Sequence, residues 1–174
     1  MRSLTIAAVI GSLTACGGGN SSPTTPTPPA PPANIAGPYS ANIIASSTCS
    51  ANLPSETRAL GFVATITQTG AAVQVQLVAH IPGAPSVTVS GTVSGQTVNF
   101  PSFSITQAMG NGAALTASGN VNVAANGLSI TGSLNGAYQT SSGTSCNAAN
   151  HQLQMIKLCL QPTSNGTALL PCPQ

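Results

Sequence analysis

The chain contains no aspartate and no tryptophan. Its charged side chains are Arg2, Glu56, Arg58 and Lys157, 2% of 174 residues, where a soluble domain carries about a quarter. Each shortage excludes a chemistry. Without Asp no Ser-His-Asp triad can form. A Ser-His-Glu version would have to join Glu56 to His80 or His151, and no G-x-S-x-G turn exists to present the serine. A single carboxylate side chain cannot make the pair used in glycoside hydrolysis. Two distant His and one Glu would reach a three-ligand metal site only by coincidence. Phosphate-loop and dinucleotide glycine motifs are absent. Without a Lys/Arg cluster there is no basic patch for nucleic acid. The expectation is therefore no enzyme, no metal, no cofactor and no nucleic-acid partner. No apolar run approaches the ~18 residues of a membrane helix. Two Tyr and three Phe are too few for the aromatic girdles of a membrane-spanning barrel.

Disorder is not the alternative. Apolar residues make up 41% of the chain, enough for a core. Thr, Ser, Asn and Gln must supply the polar surface, a composition of β type.

The first residues read as an export signal. Arg2 is the positive region, and Leu4 to Leu13 is an apolar stretch too short to cross a bilayer. Leu13-Thr14-Ala15-Cys16 follows, then Gly17-Gly18-Gly19. An aliphatic residue, two small residues and a cysteine resemble the bacterial lipobox. The resemblance implies cleavage between Ala15 and Cys16, a diacylglycerol on the Cys16 thiol and an acylated amino terminus. Two or three acyl chains hold a protein stably on a membrane. Gly17 stands where an Asp would favour inner-membrane retention, so the resemblance implies an outer-membrane anchor, with the facing side open. Residues 1–15 are then the signal peptide and 16–36 a lipidated tether. The Pro-rich part of that tether is biased towards extended polyproline structure.

From Gly37 onward apolar residues recur with period two. Leu128, Ile130, Leu134 and Tyr138 share one face, preceded by the hairpin signal Asn126-Gly127 and by Leu115, Ala117, Val121 and Val123. Val73, Val75, Leu77 and Ala79 alternate with Gln74, Gln76, Val78 and His80, and Phe62, Ala64 and Ile66 precede them. Val87, Val89 and Val93 lead through Ser94-Gly95 to Val98 and Phe100. There the phase slips at Pro101, which predicts a bulge or kink before Phe103 and Ile105. Tyr39 to Ser46 and Gln152 to Leu160 complete eight strands. Short linkers favour an antiparallel up-and-down meander, and eight strands close naturally into a barrel; a β-sandwich is the alternative. The domain is placed at 37–160 and a disulfide-tied tail at 161–174. The phrases Thr67–Val73, Val89–Val98 and Ile130–Gly136 resemble those of small lipocalin-like (calycin-type) envelope lipoproteins.

With Cys16 assigned to lipid, four cysteines remain, an even set for an oxidising compartment. In a meander Cys49 and Cys146 fall at one end, and Cys159 and the tail Cys172 at the other. The expected bridges are therefore Cys49–Cys146 and Cys159–Cys172. Glu56 and Arg58 lie in the loop after Cys49, as a local surface pair or as a polar rim at the barrel mouth. His80 and His151 are expected to be exposed. Two functions follow: a membrane-anchored barrel that binds a small apolar or amphipathic ligand, or a structural or protein-interaction module without a cavity.

Overall fold

The computed structural model describes residues 30–53, 55, 58–80, 85–106, 114–139, 143–164 and 166–173. Its strands are β1 (Gly37–Ile44), β2 (Ala59–Thr69), β3 (Ala72–Ala79), β4 (Val87–Ser94), β5 (Thr97–Thr106), β6 (Ala114–Val123), β7 (Ser129–Gln139), β8 (Ser145–Thr163) and β9 (Gly166–Pro171). A short 3-10 helix, Ser47–Ala51, follows β1. β3 shows why these segments are strands. Val73, Val75, Leu77 and Ala79 are buried while every residue between them is exposed, the period of a pleated ribbon with one dry face. Apolar side chains therefore line the inside, and Gln, Thr, Asn and Ser clothe the outside.

All neighbours are antiparallel and consecutive, and β1 also pairs with β8, with Tyr39–Ile44 facing Gln152–Lys157. The first eight strands thus form a closed meander barrel, in which every strand has a neighbour on both sides. Tyr39, Phe62, Ile66, Leu115, Leu134 and Met155 are among its fully buried side chains. The start of β1 and the end of β8 define a floor. The end of β1, followed by Cys49, defines the mouth.

Two bulges reset the phase. Phe100 pairs with Gly119 but Phe103 with Ala117, so Pro101 and Ser102 together oppose Ser118. This is the slip expected at Pro101, and it keeps both Phe100 and Ile105 inside. The second lies between β7 and β8. Leu134 pairs with His151 but Gly136 with Ala148, so Ala149 and Asn150 oppose Asn135. On its other side Gly136 lets β6 come close, because a Cβ there would strike the Thr116 carbonyl oxygen and stand 2.7 Å from the Ala117 Cα.

The structure departs from the sequence reading at both ends of the domain. The last strand runs on to Thr163, and its far half pairs with β9, a ninth strand outside the barrel. The tail therefore continues a ladder that β7 leaves off. Lys157 donates to Leu128 O at 2.8 Å and accepts from Cys172 N at 3.0 Å; the two groups of one antiparallel residue point to the same side. At the other end, the sequence pattern assigns Ile35 to the tether. It is fully buried because the chain folds under the floor before β1 begins.

Candidate functional site

The barrel offers three places where chemistry could occur: its floor, its mouth and its interior. The floor is closed by the chain itself. Ala33 N–H donates to Gly95 O at 2.8 Å, and Ile35 N–H to Gln68 Oε1 at 2.8 Å. Gln68 Nε2 returns a bond to Ala33 O at 2.9 Å. One glutamine thus satisfies both backbone groups of a strap that seats Ile35 in the core. Beside it Tyr39 donates to Gly127 O at 3.3 Å. Burial pushes its hydroxyl up from 10.0 to about 12. Lys157 Nζ lies 5.8 Å from the centre of the Tyr39 ring, a cation–π distance.

The mouth is built on the Cys49–Cys146 bridge, whose Cα atoms are 5.6 Å apart. Cys159–Cys172 is the second bridge, so the pairing expected from the meander is the one formed. Leu53 is buried under the mouth loop. Arg58 holds that loop shut, donating from Nε to Leu53 O at 2.9 Å and from Nη2 to Ser50 O at 2.6 Å. Its guanidinium therefore serves the loop carbonyls. Glu56, expected at the same rim, lies outside the described residues, as does Cys16.

His151 overturns an expectation. It is fully buried, not exposed. Ser46 N–H donates to its Nδ1 at 3.1 Å, and its Nε2 stands 3.1 Å from Gly136 O. An amide N–H can only donate and a carbonyl can only accept, so the ring is the Nε2–H tautomer. Both nitrogens are occupied by backbone, which leaves neither for proton transfer or metal binding. The Ala149–Asn150 bulge turns His151 inward. A signal was present in the sequence, since His151, Leu153 and Met155 have the same parity. His80, by contrast, is exposed on the outer wall. Among the described residues no three His, Cys, Asp or Glu side chains gather as a metal site would require.

Among the described residues, an apolar cavity of about 20 Å³ lies inside the barrel between Val75, Leu77, Val89, Phe100, Phe103 and Met155, room for about one water. It borders the weakest seam of the wall, where β4 and β5 pair only over Thr92–Ser94 and Thr97–Asn99. Beyond that the Pro101 bulge turns β5 away.

These features define a class: an eight-stranded up-and-down barrel of calycin-like form, plugged at the floor and stapled at the mouth. No protein-family model matches the chain, and no curated protein or solved structure matches it either.

Proposed function

We propose that the protein is an envelope lipoprotein, held by lipid on Cys16, whose barrel acts as a solid interaction module and not as a container. The lipid site is supported by the order of Arg2, the apolar stretch and Leu13-Thr14-Ala15-Cys16. Two disulfides fit an exported protein. The observation carrying the module reading is the small size, about 20 Å³, of the apolar cavity among the described inward side chains, since small-molecule sites are typically some 300–1,000 Å³. At the described part of the mouth, Arg58 is tied to loop carbonyls and the Ser46 hydroxyl to the side chains of Thr48 and Asn150. Native mass spectrometry of gently extracted protein tests this. The mass should equal polypeptide plus acyl chains, and acylation should vanish in Cys16→Ser. A further apolar molecule retained by the folded domain would overturn the module reading.

A second reading keeps a ligand. The cavity is wholly apolar and meets the short β4–β5 seam beside the half-buried Phe103. Rotation of Phe103 would enlarge it into a slot for a single alkyl chain. Phe103→Ala should then raise affinity for a fatty acid; unchanged affinity argues against this reading.

A further inference from the structure

Past the barrel floor, β8 and β9 continue as a two-stranded ribbon. It carries the most exposed leucines of the described chain: Leu160 at 73%, Leu169 at 48% and Leu170 at 40%. Leu160 and Leu169 are direct cross-strand partners. Alternation places Leu158, Pro162 and Pro171 on their face, and Leu170 on the other. None of positions 158–163 or 166–171 is charged. An isolated apolar ribbon is marginal in water, yet this one is stapled by Cys159–Cys172, with Cα atoms 4.9 Å apart.

Position gives the ribbon its meaning. Tyr39, near the start of β1, faces Lys157, so the six residues of β8 after it run on past their β1 pairing for about 20 Å of strand. The chain from Cys16 arrives at the same end, where Ala33 and Ile35 strap the floor. Residues 16–29 reach at most about 50 Å, which leaves the ribbon tip free to touch the surface that holds the lipid. Among the described residues Lys157 is the only basic side chain at this end.

We infer that the ribbon is a second membrane contact, with its Leu160–Leu169 face seated in the interface of the bilayer that carries the Cys16 lipid. This rests on the lipoprotein reading above. Contact is shallow, because the outer edge of β9 presents backbone groups that hydrocarbon cannot satisfy but headgroups and water can. A second copy of the chain fits less well. β9 is short, and Pro162 and Pro171 each lack the N–H that edge pairing needs. The ribbon turns a loose tether into a two-point anchor that fixes which end of the barrel faces the lipid.

The chain has no tryptophan, so Leu169→Trp installs a single reporter at the ribbon, and Asn147→Trp one at the mouth. Each full-length protein is expressed, and the mass of its N-terminal peptide records whether Cys16 is acylated. It is then reconstituted in phosphatidylethanolamine–phosphatidylglycerol vesicles with brominated acyl chains. Strong quenching for Leu169→Trp with none for Asn147→Trp is the expected result. Equal quenching at both positions in acylated protein overturns the inference and leaves lipidation standing. If Cys16 carries no lipid, that reading fails by itself, and the same protein is mixed with preformed vesicles. Ribbon quenching there still supports docking, with roughly tenfold weaker binding for each leucine replaced by Ser; no quenching overturns it. A blue-shifted but unquenched Leu169→Trp with a doubled mass identifies a second copy as the occupant and also overturns it. Leu160→Trp repeats the measurement should the first variant fold poorly.

Discussion

Replacing His151 tests the least visible part of the framework. Its fully buried ring joins two segments far apart in sequence, accepting from Ser46 N–H in a buried bond and donating to Gly136 O in a part-buried one, both at 3.1 Å. His151→Phe keeps most of the ring volume and removes both bonds. A buried backbone group left without a partner costs about 1–3 kcal/mol. Two such groups give about 2–4 kcal/mol, on the low side of the sum because the Gly136 carbonyl is only part-buried and water can reach it. His151→Ala adds a void and should lose about 1–2 kcal/mol more. Total stabilities are about 5–15 kcal/mol, so either change is visible in urea unfolding followed by circular dichroism with the disulfides intact. Exposed Gln154→Ala on the same strand serves as reference and should stay within about 0.5 kcal/mol. Nitrogen NMR of the imidazole should report the Nε2–H tautomer. A His151→Phe stability indistinguishable from the reference, or the opposite tautomer, would refute the reasoning.

The two disulfides should separate. Replacing Cys49 and Cys146 by Ser opens a loop of sequence separation 97 and should cost about 4–5 kcal/mol. The same change at Cys159 and Cys172 should fray the ribbon in hydrogen exchange while barrel amides stay protected; equal loss of protection in the barrel would contradict the outside position of β9. Ile35→Ala should cost about 2–4 kcal/mol, whereas a residue in a loose tether would cost nothing measurable. Tyr39 ionises at about 12 when folded and near 10 when unfolded, and burial raises Tyr138 likewise. The folded state holds these protons more tightly, so their contribution is complete below pH 10 and is lost as pH climbs from about 10 to 12. The loss is at most about 1.4 kcal/mol per pH unit for each tyrosine. Tyrosinate absorbance should rise together with the loss of circular dichroism; an ordinary titration near pH 10 with the fold intact would contradict the burial.

Local pattern carried much of the fold. The Val73-Val75-Leu77 alternation, the Asn126-Gly127 turn and the slip at Pro101 each reflect a period-two surface or a missing donor, and neighbours in sequence suffice to show them. Consecutive short hairpins then left few ways to arrange the strands, and that order alone paired Cys49 with Cys146 and Cys159 with Cys172. Other features depended on partners distant in the chain. His151 and Ser46 meet only because β1 closes against β8, and no window of sequence contains both. Ile35 belongs to the core because the barrel leaves an opening at its floor that an apolar side chain can fill. The ribbon needs β8 to outlast β7, which the barrel's stagger decides. How full the interior is depends on the inward volumes of eight strands together, and only closure sums them.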